Sequence, residues 1–180
     1  MKIILFDASP NGALGWSWAV GSFRPGWTRI GVKSWNEASV KLNAVVRPGT
    51  RIKELQIWGH GEPGKPLIAG KPPVSVLPTF MELLARLVTP GSLVWFRSCS
   101  VFFGEKGRAF AERTANELNC RVAGHSHVIG PWQSGLFSVA PGMHQGWVDP
   151  EPMVDWRDHK SGPFQPRTIF CARMAVPESW

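Results

Sequence analysis

Apolar positions along this chain fall into short runs and helical stripes that alternate with one another. Residues 2–8 close a first buried strand, Ile3-Ile4-Leu5-Phe6 ending at Asp7-Ala8. Residues 9–26 are Gly-rich with repeated turn signals and room for a hairpin around residues 16–20. Ser34 is placed to cap a helix over residues 36–46, which Pro48-Gly49 stops. A second apolar strand, residues 52–59, runs into His60-Gly61-Glu62-Pro63-Gly64. Residues 61–76 read as an irregular Pro/Gly excursion with a short edge strand near Leu67-Ile68. Met81, Leu83, Leu84, Leu87 and Val88 carry helical spacing before Pro90-Gly91. Residues 92–100 form a third strand ending at Cys99.

The strongest helix spans residues 105–119, with Phe110, Ala111, Thr114, Ala115 and Leu118 as its apolar stripe. Strands follow at residues 121–124 and 136–140. Six prolines crowd the last forty residues, which carry one late strand at 168–174. Strands alternating with helices imply an α/β fold: a three-layer α/β/α sandwich with a mostly parallel sheet. No repeat or linker divides the chain, so residues 1–180 read as a single domain with a Pro-rich extension over about 141–180.

Composition narrows the function classes. Apolar residues make up 43% and charged residues 18% of the 180, too apolar for a disordered chain. The run after Lys2 is too short for a signal peptide, and nothing reaches membrane-spanning length, so the reading is a cytoplasmic protein without a membrane span. The net charge of +7 is spread over scattered Lys and Arg with no dense basic run, which argues against dedicated nucleic-acid binding. Three cysteines at irregular spacing give neither a disulfide framework nor a zinc pattern. Cys120 and Cys171 lie in apolar segments and read as small core residues. Ten Trp and no Tyr make the N-terminal third, with Trp16, Trp18, Trp27 and Trp35, unusually indole-rich. These read first as core and rim fillers.

The chemistry concentrates at two strand ends. One helical segment separates the strand ending at His60 from the strand ending at Cys99. A right-handed crossover would set the two parallel, with both carboxyl ends on one edge. An imidazole and a thiol delivered there form a base–nucleophile pair. The helix beginning near Gly104 or Glu105 would favour the thiolate of Cys99 through its positive end. The backbone amides of Gly61 and Cys99 are candidate oxyanion donors. Asp7 and Asn11 after the first strand, Arg97, Ser98 and Ser100 beside the thiol, and His125 and His127 after the strand at 121–124 are candidate groove residues.

The string Ile57-Trp58-Gly59-His60-Gly61-Glu62-Pro63-Gly64, followed by Leu93-Val94-Trp95-Phe96-Arg97-Ser98-Cys99, resembles the caspase–clostripain–gingipain group of cysteine peptidases. It is most similar to the small bacterial caspase-like domain found at the N-terminus of very large surface or repeat proteins. Gly104-Glu105-Lys106-Gly107-Arg108-Ala109-Phe110 fits that domain's Gly-x-x-Gly-x-x-Phe helix start. The resemblance covers roughly residues 52–142. It implies a caspase-like fold, a His60–Cys99 dyad acting on polypeptide substrates through a thioester, and no metal or organic cofactor. A bacterial or phage source fits it.

Three other readings use the same chain. One is an inactive binding or assembly module of the same fold whose Trp-rich and Pro-rich surfaces meet a partner. A metal site from His60, His125 and His127 lacks an acidic or cysteine ligand to complete it. A serine hydrolase using Ser98 or Ser100 lacks the Gly-x-Ser-x-Gly elbow. His144 and His159 sit in the Pro-rich tail without a recognisable pattern.

Overall fold

Among the described residues, hydrophobic strands lie at the centre with amphipathic helices packed on them. A computed structural model describes residues 1–9, 21, 23–71, 77–143, 155–173, 175–177 and 179–180. The elements are β1 (Lys2–Asp7), β2 (Thr28–Val32), α1 (Trp35–Val45), β3 (Glu54–Trp58), β4 (His60–Glu62), β5 (Lys65–Leu67), α2 (Leu77–Leu87), β6 (Leu93–Arg97), α3 (Gly104–Leu118), β7 (Arg121–His125), β8 (Trp132–Gln133), β9 (Leu136–Val139) and β10 (Ile169–Phe170). A six-stranded sheet runs in the order β2-β1-β3-β6-β7-β9. Its first five strands are parallel, and β9 pairs antiparallel with β7 at the edge. This is an α/β sandwich on a mostly parallel sheet.

The connections from β2 to β3, β3 to β6 and β6 to β7 all advance the same way across the sheet. Right-handed crossovers therefore lay α1, α2 and α3 on one face, where α1 contacts α2 and α2 contacts α3. Their apolar stripes meet Ile3, Leu5, Leu55, Ile57, Val94, Phe96 and Val122 in one continuous core. Local signals fix the helix ends. Ser34 caps α1 by accepting the Glu37 amide at 3.1 Å, while Glu37 reaches back to the Lys33 amide at 2.7 Å. Asn119 ends α3 in the left-handed conformation. Gly107 lets α3 settle on the preceding turn, because a Cβ there would lie 2.3 Å from the Phe102 carbonyl carbon.

The opposite face of β3, β6 and β7 is buried yet largely polar. Arg97 is 3% exposed, its guanidinium between the rings of Trp58 (4.5 Å) and Trp95 (4.4 Å). It donates to Gln133 Oε1 at 2.6 and 3.1 Å, to Gln56 Oε1 at 3.3 Å, and to the carbonyls of Cys171 and Arg173 at 2.7 and 3.2 Å. Through these bonds the C-terminal residues are strapped across the sheet. Burial pulls the Arg97 pKa down to about 9.

Several elements depart from the sequence reading. β2 was not foreseen, and the excursion after His60 is a true two-stranded hairpin, β4 with β5. The late strand is only β10, paired antiparallel with β8. The expected hairpin at residues 16–20 lies outside the described residues. No helix among the described residues is long and apolar enough to cross a membrane.

Candidate functional site

The sheet order reverses at β1: the chain moves from β1 outward to β2, then back past it to β3. In open α/β sheets ligands bind outside the carboxyl ends of the strands at such a reversal. The residues delivered to that edge are Asp7 at the end of β1, His60 just beyond β3, and Ser98 and Cys99 just beyond β6. β3 and β6 are neighbours in parallel register, Trp58 opposite Arg97, so the edge carries His60 and Cys99 on adjacent strands.

Backbone packing brings the two turns together. Gly61 is buried, and a Cβ on it would stand 2.4 Å from the Cys99 carbonyl oxygen and 2.9 Å from Ser98 Cβ. The Gly64 amide at the hairpin tip donates to the Val101 carbonyl at 3.0 Å. The β4–β5 hairpin therefore lies directly on the Cys99–Val101 turn, with the exposed His60 at its start. Ser100, next to the thiol, has φ of 53°, a left-handed conformation that serine rarely adopts. Its amide donates to the His127 carbonyl at 2.9 Å. Strained residues of this kind concentrate at functional sites.

Cys99 is partly buried, and its Sγ contacts the Ile129 carbonyl oxygen at 3.8 Å. Burial pushes its pKa up from the ordinary value. Burial thus acts against the lowering expected from the helix dipole, and α3 starts five positions beyond the thiol. The resting group is a neutral thiol. Cys120 is fully buried and shifted up to about 11 by burial, as a core residue should be. Cys171 is half-buried and free.

The remaining candidates divide by position. Asp7 is fully buried, with Oδ1 accepting the Ser9 amide and Oδ2 the Ala69 amide, both at 2.8 Å. Arg97 points to the polar face and is committed to the strap. His125 is also on that face: Trp95 Nε1 donates to its Nε2 at 3.3 Å, so Nδ1 carries the proton and donates to the Ser134 carbonyl at 3.1 Å. Burial and nearby Arg97 pull its pKa down to about 3. His127 is buried, bonded through Nδ1 to Ser126 Oγ at 2.9 Å and stacked on His159 at 3.8 Å. The Ser98 and Ser100 hydroxyls are buried without a hydrogen-bond partner among the described residues. Asn11 and His144 lie outside the described residues. Among the described residues no three His, Cys, Asp or Glu side chains are grouped to hold a metal ion.

A cavity of about 330 Å³ opens beyond the hairpin turn. Glu62, Pro63 and Lys65 form one wall, the α3 start with Phe103 and Lys106 another, and Trp156 a third. Three participants escaped sequence reading. Ile129, which covers the thiol, and Trp156 have no motif to mark them, while His159 becomes meaningful only through its stack on His127.

Comparison with protein-family models finds no match, and no curated protein matches the chain. One solved structure, "Crystal structure of a small-chain dehydrogenase", superposes with a TM-score of 0.35 and 8% identity. The overlap covers 65% of this chain and 72% of that one. A likeness this loose carries no argument about function.

Proposed function

We propose that this chain is a cysteine-type peptidase in which His60 and Cys99 act as a pair. The observation that carries the reading is the contact of Gly61 with the Cys99 backbone, which seats the His60 turn on the thiol turn at the sheet's carboxyl edge. The His-Gly and strand-Cys strings that resemble the caspase–clostripain–gingipain group add to it. Because burial holds Cys99 as a thiol at rest, the reaction needs a base at the moment of attack rather than a standing thiolate.

His60 removes the thiol proton as Sγ bonds to the substrate carbonyl carbon, and negative charge passes to the carbonyl oxygen. The amides of Gly61 and Cys99 serve that oxyanion. Collapse of the adduct breaks the C–N bond, and the His60 imidazolium protonates the departing amine. Water, deprotonated by His60, then attacks the thioester; the acid leaves and the thiol regains its proton. No metal or organic cofactor enters this scheme. An approaching substrate displaces the Ile129 carbonyl from Sγ, and the cavity beside Glu62 and Phe103 offers space for a substrate side chain.

Hydrolysis of a fluorogenic peptide library by wild type and Cys99→Ala tests the reading. Turnover lost in the variant supports it; turnover equal in both ends it. A non-catalytic binding module is the second reading. It is favoured by the neutral, covered thiol and by the exposed Trp132–Phe170 pair, whose ring centroids are 5.4 Å apart. On that reading Cys99→Ala changes nothing and Trp132→Ala weakens partner binding.

A further inference from the structure

We propose that Asp7 is a positioning residue for His60, its carboxylate fixing the base of the β4–β5 hairpin and thereby the place of the imidazole that the hairpin carries. The inference rests on the His60–Cys99 reading and assigns the regulation of its geometry. Asp7 has no exposed surface, and each of its oxygens already accepts a backbone amide at 2.8 Å. A carboxylate so occupied holds backbone in place and has nothing to offer a substrate.

What it holds is the return strand of the hairpin. Ala69, whose amide meets Oδ2, has φ of 54°, a region that alanine rarely adopts and that a strong local bond must maintain. Two positions earlier, Leu67 pairs with His60 across the ladder. The Leu67 carbonyl oxygen also presses on Gly59, where an added Cβ would be 2.6 Å from it and 3.7 Å from Asp7 Cβ. His60 thus sits between two fixed points. Gly61 behind it is wedged on Cys99, and Leu67 opposite it leads to the Ala69 amide and Asp7. The Gly64–Val101 bond secures the tip of the hairpin, and at its base Asp7 acts beside the Ile68–Lys71 bridge, which Trp35 Nε1 caps at the Lys71 carbonyl.

The substitutions are Asp7→Ala, Asp7→Asn, and Asp7→Ala with Ala69→Gly, in the full chain. Hydrogen exchange at the Ala69 amide and the His60 imidazole resonances report the hairpin directly. Labelling of Cys99 by a peptide chloromethyl ketone, with and without His60→Ala, reports the pair. Asp7→Ala is expected to speed Ala69 exchange about 10-fold, the loss of one buried hydrogen bond, to shift the His60 resonances, and to shrink the His60-dependent part of labelling. Ala69→Gly restores labelling in that background, because glycine adopts the left-handed conformation unaided. Asp7→Asn, which keeps the volume and one oxygen, falls between and serves if Asp7→Ala does not fold. Unchanged Ala69 exchange and His60 resonances in Asp7→Ala or Asp7→Asn, or no rescue by Ala69→Gly, overturn the proposal. If His60→Ala leaves wild-type labelling unaltered, the pair reading fails by itself, and exchange and resonances still decide whether Asp7 holds the hairpin.

Discussion

Gly61 lies against Cys99 so closely that a methyl group on residue 61 would stand 2.4 Å from the Cys99 carbonyl oxygen. The obstacle is backbone, so no rotamer change relieves it. Gly61→Ala should push the hairpin off the thiol turn and destabilise the fold by about 1–3 kcal/mol, the usual range for overpacking. Gly91→Ala is the control, with nothing within 4 Å of its added Cβ. Urea denaturation of both variants checks this; equal midpoints would contradict the close seating of the two turns.

Removing the thiol separates chemistry from folding. Cys99 is only partly buried and loses one long contact to Ile129 on truncation. Cys99→Ala should therefore shift stability by no more than about 1 kcal/mol while abolishing peptide turnover. Thermal melting beside the activity assay reads both.

Arg97 ties the C-terminal strap to the sheet. Arg97→Met takes the Arg97 donor from Gln133 Oε1 and from two backbone carbonyls, while Gln56 Oε1 keeps its bond from Trp58 Nε1, for a cost on the order of 3 kcal/mol. Limited proteolysis should then cut within residues 155–173 well before the rest of the chain. Uniform resistance would show that the strap is held by other means.

Acid should weaken the fold through buried imidazoles. Burial lowers His125 to about 3 and, helped by facing His159, His127 to about 4. A base whose folded pKa is depressed takes up protons first in the unfolded chain. Their neutral forms thus stabilise the fold fully above the ordinary histidine value of about 6.5, and that contribution is lost as pH falls toward the folded values. The Tm should drop between about pH 6.5 and 4, and His127→Phe should flatten the drop. A Tm constant over that window would contradict the burial of these rings.

Much of the site was legible because parallel strands obey strict rules. β1, β3 and β6 are apolar runs with polar ends, and one crossover between β3 and β6 suffices to put His60 and Cys99 on one edge. β2 escaped because Arg29 and Gly31 interrupt its pattern: Arg29 lies over the rings of Phe6 and Phe23, and the Phe6 ring fills the space at Gly31. Arg97 and His125 were read toward the groove because strand alternation says which residues share a face, not which face meets the helices. Their partners Gln133, Ser134 and Cys171 come from segments whose docking no local pattern encodes. The raised thiol pKa follows from burial, against the lowering bond to the Ile129 carbonyl, and is equally invisible until the chain is folded.

The most direct measurement is inactivation by a mixture of peptide chloromethyl ketones, followed by mass spectrometry across pH in wild type and His60→Ala. If His60 serves Cys99, the adduct forms at Cys99 ahead of Cys120 and Cys171, with a rate that falls and a pH dependence that changes in the variant. Labelling spread over the three thiols, or a Cys99 rate indifferent to His60, would contradict the pair on which the proposed chemistry stands.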